Sequence, residues 1–365
     1  MKRIGWMAAG LAAVLIAFGA AGWLLRGRIA VRAMHRLYTQ ALAGHPLADL
    51  PDGLNVGLCG SGAPMPDPTR AGPCVAIVAG RHLFIVDSGS GSTRNLSLMS
   101  LPPAQVEAVF LTHFHSDHIG DLGELMLQRW GVGAATQPLP VYGPTGVDQV
   151  VGGFEAAYGL DRGYRIAHHG PKVVPPAGFG GAAHAFTATP DAPDVLVLQA
   201  PDLKVWAFPV NHRPVEPAVG YRFEYKGRVV VVSGDTAPSP RVERAARGAD
   251  VLVHEALSAR LVGMQRQAAL AAGRSNVAAI MHDIVGYHST PEQAADAADR
   301  AGVRYLLLDH IVPAVPFAAL EGPFLGDARR HFRGTLRLGH DGDFLSLPAN
   351  SHEIRRTNRL RRFIF

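Results

Sequence analysis

Between Phe110 and Asp121 the chain reads Phe-Leu-Thr-His-Phe-His-Ser-Asp-His-Ile-Gly-Asp, and no other stretch limits the possible folds so sharply. The apolar run 108–111 reads as a buried strand, and His113, His115, Asp117 and His118 follow directly behind it. Imidazoles crowded with a carboxylate suit zinc or another borderline divalent ion. His113 and His115 alternate along an extended loop, so both can face one ion. Asp117 and His118 lie where the chain turns toward a helix and can serve a second. With 17 His in 365 residues, chance is a poor explanation for H-x-H-x-D-H. The fold must therefore end a buried strand at a metal site.

The net charge of +5 is unevenly spread. Residues 1–36 carry +6 and residues 353–365 carry +4, which leaves 37–352 at −5. A body that grips a polyanion over a wide area is normally basic, so nucleic acid is disfavoured as a partner. Ile4 to Leu25 is free of charge for 22 residues, roughly 33 Å as a helix at about 1.5 Å per residue. That exceeds the usual cleaved apolar core of a signal peptide. Residues 1–36 are expected to be an uncleaved transmembrane anchor, with cleavage near Ala17-Phe18-Gly19 as the alternative. Cys59 and Cys74 end and begin two apolar runs joined by a Pro/Gly-rich loop, so a bridge is feasible; two ordinary buried thiols are the alternative. A paired set favours an oxidising compartment. Together these place the protein at a bacterial inner membrane with a periplasmic body.

With 48% hydrophobic and 18% charged residues the chain can bury a large core, and wholesale disorder is excluded. Residues 37–50 read as a linker, 51–348 as the folded body and 349–365 as a basic tail that either touches anionic lipid or is solvated. Strands are expected near 54–59, 74–79, 82–87, 108–112, 205–210, 218–225, 228–233, 250–253, 304–308, 335–339 and 343–347. Helices are expected near 119–130, 144–158, 239–247 and 291–301, the last opened by Pro291. Residues 160–200 show no clear period and read as a long insertion or loop. Consecutive strands mixed with strand–helix units imply an α/β fold of two mixed sheets covered by helices. A homodimer is compatible with the sequence.

The pattern of a strand followed by a ligand recurs three times, at 205–212 ending in His212, at 228–235 ending in Asp235, and at 304–310 ending in His310. Taken with Leu58-Cys-Gly-Ser-Gly, Phe84-Ile-Val-Asp87, His254-Glu255-Ala256 and His288-Ser-Thr290, the chain resembles the metallo-β-lactamase superfamily, and within it the tRNase Z-like/arylsulfatase-like branch. The resemblance implies an αββα sandwich and two zinc ions, with manganese or iron as substitutes. It implies His113, His115 and His212 on one ion, Asp117, His118 and His310 on the other, and Asp235 between them. Ions about 3.5–4 Å apart activate water for attack on an ester. Asp117, His288 and Glu255 form the implied catalytic set, with His288 protonating the leaving oxygen and Glu255 orienting it. His254 reads more simply as packing behind a ligand, and Asp87, Asp121 and Asp309 are candidates to orient imidazoles. His168 and His169 either line a substrate pocket or are solvated.

The branch's tRNA-capturing arm is expected between Gly220 and Ser233, where this chain has room for one hairpin only. The sequence therefore favours a small-molecule ester, phosphodiester before sulfate ester, over a tRNase Z-type nuclease. A non-catalytic metal-binding protein is the remaining alternative.

Overall fold

The computed structural model describes residues 2–191 and 193–360, and in the first helix the side chains of 2–9, 11–18, 21 and 41 lie outside that description. Contacts divide the chain into two units, Met1–Asp49 and Leu50–Phe365. The first is built on α1 (Lys2–Ala43). The expected apolar span, with its candidate cleavage site at Ala17 and Phe18, falls mainly on the undescribed side chains. From Gly22 onward α1 carries Arg26, Arg28, Arg32 and Arg36. Among the described residues no helix is long and apolar enough to cross a membrane. The expected transmembrane helix is overturned on that finding, and with it the membrane as a partner and the inner-membrane, periplasmic placement.

The second unit is a sandwich of two mixed sheets. One contains β1 (Gly53–Gly60), β2 (Cys74–Ala79), β3 (His82–Val86), β4 (Val106–Phe110), β5 (Leu139–Pro144) and β6 (Gly181–Phe186). The other contains β7 (Val195–Ala200), β8 (Leu203–Pro209), β9 (Val219–Tyr225), β10 (Arg228–Val232), β11 (Val251–Leu257), β12 (Tyr305–Val312) and β13 (Thr335–Leu338). The chain then returns to the first sheet with β14 (Asp343–Pro348) and β15 (Arg355–Asn358), giving the orders β15-β14-β1-β2-β3-β4-β5-β6 and β13-β12-β11-β10-β9-β8-β7. The helices are α2 (Ser92–Leu98), α3 (Ser116–Ile119), α4 (Leu122–Gly133), α5 (Val147–His169), α6 (Pro240–Ala246), α7 (Ala259–Ala271), α8 (Ser275–Asp283), α9 (Pro291–Ala301), α10 (Glu321–Leu325) and α11 (Ala328–His331). α2 and α5 pack on the first sheet, α6 and α9 on the second. This is the expected αββα architecture.

Hydrophobic burial between the sheets is what holds the layers together. Val and Leu from both inner faces surround Phe110, which stacks on Tyr142 at 5.1 Å and meets Tyr221 and Phe223 edge-on at 5.4 and 5.5 Å. On the outer face of the second sheet, α9 turns Ala294, Ala295 and Ala298 inward, and these small side chains let the helix lie close. Its start is set by Thr290, which accepts from the Gln293 amide while the Gln293 side chain accepts from the Thr290 amide.

The stretch 160–200 is more regular than its sequence implies. α5 runs on to His169 although Gly152, Gly153, Gly159 and Gly163 interrupt it, residues that blur a helical pattern and cost about 1 kcal/mol each. Edge strands β6 and β7 follow, half-exposed and therefore without the continuous apolar run of a buried strand. β15 lies within the stretch read as a tail, paired with β14 from Asp343↔Asn358 to Ser346↔Arg355; residues 361–365 lie outside the described residues. Cys59 and Cys74 are joined by a disulfide, Cα–Cα 5.0 Å, between the end of β1 and the start of β2.

Because Phe110 fills the inter-sheet core immediately before the metal-ligand loop, Phe110→Ala is expected to lower stability by about 3–5 kcal/mol. Denaturant unfolding of the full chain measures it, and a loss below about 1 kcal/mol would mean that this ring is not central to the core.

Candidate metal centre

In each parallel run of strands the carboxyl ends point the same way: β3, β4 and β5 in one sheet, β10, β11 and β12 in the other. Ligand sites form at such strand ends. β4 delivers His113, His115, Asp117 and His118, with α3 making the turn at Ser116. β8 leads to His212 and β10 to Asp235. Gly234 is required beside it: φ is 61°, and a Cβ would stand 2.7 Å from the Val219 carbonyl oxygen. In β12 the pairing with β11 shifts between Glu255↔Asp309 and Ala256↔Ile311, leaving His310 as the extra residue of a bulge at φ 43°. Bulges re-aim side chains in this way, and here the bulge turns His310 into the cluster.

His113, His118, His212, Asp235 and His310 are each at most 2% exposed, whereas His115 is exposed and Asp117 half-buried, so the cluster opens to solvent at those two. His113, His115, His212 and Asp235 form one group able to hold a cation and Asp117, His118 and His310 a second; a third, overlapping group is Asp235, His288 and His310. Asp235 Oδ2 lies 3.8 Å from His113 Nε2 and 3.9 Å from His212 Nε2 on one side. On the other it lies 3.4 Å from His118 Nε2 and 3.2 Å from His310 Nε2. Asp117 Oδ2 is 3.3 Å from His310 Nε2 and 3.5 Å from His118 Nε2.

On three of the imidazoles the outer nitrogen is already engaged. His118 Nδ1 donates to Asp87 Oδ2 at 2.9 Å, His212 Nδ1 to the Tyr287 carbonyl at 3.0 Å, and His113 Nδ1 meets Thr112 Oγ1 at 3.1 Å. Those bonds leave each Nε2 lone pair facing inward, as a cation requires. Inside, His113 Nε2 and His115 Nδ1 are 2.9 Å apart, with His212 Nε2 3.5 Å from the latter. Buried Asp235 Oδ1, His118 Nε2 and His310 Nδ1 have no hydrogen-bond partner. Such atoms are costly to leave alone. Converging lone pairs and an orphaned carboxylate oxygen fit metal ions, and the His/Asp donor set suits zinc, manganese or iron.

Asp87, at φ 58°, also accepts from the Thr112 amide and hydroxyl at 2.8 and 2.7 Å, so one carboxylate fixes both the loop and His118. Glu255 Oε1 accepts from the amides of Thr236 and Ser289, at 3.1 and 3.0 Å, and from His288 Nδ1 at 3.1 Å. His254 turns its Nδ1 to the Glu255 carbonyl at 2.8 Å. Asp121 holds the Thr93 amide at the start of α2, at 2.8 Å. His168 and His169 close α5, which leaves the site at Val147 and runs back along the sheet, so they lie at its far end. The sequence reading missed Thr112 and the Tyr287 carbonyl, since a backbone acceptor carries no residue-type signal. It also missed that His288 Nδ1 comes within 4.0 Å of Asp235.

The electrostatics divide the histidines in two. Burial, reinforced by His118, holds His113 well below the ordinary histidine range, and burial of His212 and partial desolvation of the His115 ring lower those two as well. Burial also disfavours charge on His118 and His310, but it is outweighed. Asp235 and Asp87 raise His118 well above its usual range, and Asp235 with the Asp117 bond raises His310 to about 9. Burial opposes the charge on Asp235, yet His310 and His118 hold it well below the usual carboxylate range.

Residues 67–271 match the metallo-beta-lactamase superfamily model. The chain is 38% identical over 301 residues to a protein named Ribonuclease Z from Mycobacterium avium, covering 82% of this chain and all of that one. It is 37% identical over 292 residues to a Ribonuclease Z from Mycobacterium bovis, covering 79% and 96%. Among solved structures, the short form of human tRNase Z superposes with TM-score 0.58 at 23% identity over 80% of this chain and 99% of that one. The metallo-beta-lactamase fold protein YhfI from Bacillus subtilis gives 0.55 at 20% identity, over 80% and 98%. The chain is thus a metal-dependent hydrolase with an αββα fold. It belongs to the metallo-beta-lactamase superfamily, in the tRNase Z-like branch. Relatives that match across most of the chain and are named ribonucleases overturn the expectation that nucleic acid is a disfavoured partner. Net charge averaged over the body was a poor guide because binding responds to local potential.

Metal uptake requires neutral imidazoles. At pH 7.5 His310, and His118 with it, hold protons in the metal-free protein; His113, His115 and His212 do not. Loading the second group is therefore expected to release about one to two protons and to tighten as pH rises toward 9, whereas loading the first changes little above pH 7. Calorimetric zinc titration in buffers of different ionisation enthalpy checks this; proton release of zero would refute the division.

Proposed function

We propose that this protein is a two-metal endoribonuclease of the tRNase Z type, with zinc as its metal, cutting an RNA phosphodiester. The observation that carries the reading is the buried Asp235 carboxylate set between two His/Asp groups, in a chain whose sequence matches ribonucleases Z from end to end of their length. His113, His115 and His212 would hold one ion and Asp117, His118 and His310 the other, with Asp235 available to both; manganese or iron could take the place of zinc. When bound, the ions supply Lewis-acid charge and lower the pKa of water.

The chain's own groups do the remainder. Asp87, Thr112 and the Tyr287 carbonyl engage the Nδ1 atoms of His118, His113 and His212, which holds those rings with Nε2 turned toward where the ions would sit. Glu255, fixed by two backbone amides, binds His288 at Nδ1 and leaves Nε2 to donate a proton to the departing sugar oxygen. Asp117, half-open beside exposed His115, orients the attacking water at the mouth of the site. The two-residue turn at Lys226-Gly227 between β9 and β10 means that RNA is gripped without a long arm there.

Incubation of the full chain with precursor tRNA is expected to give zinc-dependent cleavage that a chelator abolishes and added zinc restores. Hydrolysis of a bis-aryl phosphate without any cleavage of precursor tRNA would sink the RNA reading. Asp235→Ala is expected to remove measurable activity together with bound metal. His288→Ala is expected to lower kcat on RNA by about 10²–10⁴-fold, the usual scale for a general acid, and much less on an aryl ester whose leaving group needs no proton. Equal losses on both substrates would refute the proton-donor role.

A further inference from the structure

Beside the metal centre lies a second concavity. A pocket of about 260 Å³ opens between the end of β5, the loop after β6 and the segment from Pro209 to Ala218. That last segment presents His212, so the pocket and the centre share a wall. The wall is built rather than loose. The Val210 amide donates to the Ala218 carbonyl at 3.0 Å, the Val215 amide to the His212 carbonyl at 2.9 Å, and Arg213 pairs with Glu216 at 2.6 Å. The facing loop is tied down by Arg241, which donates to the Pro190 carbonyl at 2.8 Å, and by Ala188, buried in the inter-sheet core. On the β5 side, Gly146 brings the backbone against the ring of Phe114, a neighbour of His113 and His115; a Cβ there would stand 3.1 Å from that ring.

The lining chemistry selects the occupant. Flat proline and small aliphatic surfaces suit the faces of a planar ring, and threonine hydroxyls, each both donor and acceptor, suit its polar edge. Among the described residues the lining includes no Lys or Arg, and its one charged group, the Glu216 carboxylate, is paired with Arg213. A phosphate or sulfate would find no cation in that lining, whereas a neutral heterocycle needs none. Single-stranded RNA is read in this manner, by bases splayed out and held by face and edge.

We propose that the pocket walled by Thr145, Thr187, Thr189, Pro209, Glu216 and Pro217 seats the base of a nucleotide adjoining the scissile phosphate. The inference rests on the ribonuclease reading above and names a substrate subsite within it. The shared wall makes the occupied pocket a positioning device: a base held there would fix the phosphate's place over the two His/Asp groups. Losing the base should therefore cost rate as well as affinity.

The test uses the zinc-loaded full chain and a precursor RNA carrying either the normal nucleotide or an abasic one at each of the two positions flanking the cut. For the wild-type protein kcat/KM is expected to fall about tenfold or more at one of those positions, the scale of one lost base contact. Two variants probe the pocket: Thr189→Trp fills it, and the near-isosteric triple exchange Thr145→Val, Thr187→Val and Thr189→Val removes all three lining hydroxyls without changing shape. In both, the intact and abasic RNAs are expected to be cut within about threefold of each other. A wild-type enzyme indifferent to the base at both positions would overturn the subsite, as would a tenfold discrimination that survives in the hydroxyl-free variant. Either result leaves wild-type cleavage of intact RNA standing. Absence of that cleavage overturns the ribonuclease reading itself and the subsite with it.

Discussion

Much of the second unit is arranged around one electrostatic problem, the burial of the Asp235 carboxylate. Burying a carboxylate costs several kcal/mol unless positive charge accompanies it. Here four imidazole nitrogens stand within 3.9 Å of one of its oxygens, while the other oxygen has no partner. Without metal the charge is shared with protons on His118 and His310. The same lone pairs would face cations if metal were bound. Protons and metal ions would then compete for these groups, which the fold holds in fixed positions.

Two carboxylates outside the cluster do much of that holding. Asp87 sits in a left-handed conformation at the end of β3, a strained position for a residue other than glycine. In return it accepts hydrogen bonds from the Thr112 amide, the Thr112 hydroxyl and His118. Glu255 on β11 gathers the amides of Thr236 and Ser289, which flank Asp235 and His288 in sequence. Each acid therefore joins separate loops into one rigid group. His310 is brought in by a bulge in β12, the device that lets an otherwise regular strand deliver one side chain out of register.

The rim is fixed by a further buried acid. Asp341 accepts from Ser61 through its amide and hydroxyl, from the Ala71 amide and from the Asn95 side chain. The Ser61 carbonyl in turn receives the Ile311 amide, next to His310. The Cys59–Cys74 disulfide closes the same loop at its base. One side of the metal cluster thus rests on a loop held at both ends, and the opposite side rests on the segment from Pro209 to Ala218 that also shapes the neighbouring pocket.

The strand-then-ligand pattern at His113–His118, His212, Asp235 and His310 was legible in the sequence, since side-chain chemistry and apolar runs are local properties. So were the two mixed sheets and the start of α9 at Pro291. Other features were not. The edge strands β6 and β7 lack a buried face, and the glycines of α5 hide a helix that tertiary packing keeps. The charge of the ends and body led the partner reading astray, because a sum over residues does not report where the charge lies. Residue types alone set which groups could bind metal. Tertiary structure alone decided that Tyr287 would lend its carbonyl to His212, that Thr112 would link Asp87 to His113, and that Asp121, His168 and His169 would lie elsewhere. Those outcomes depend on which strand ends meet in space, and long-range packing sets that.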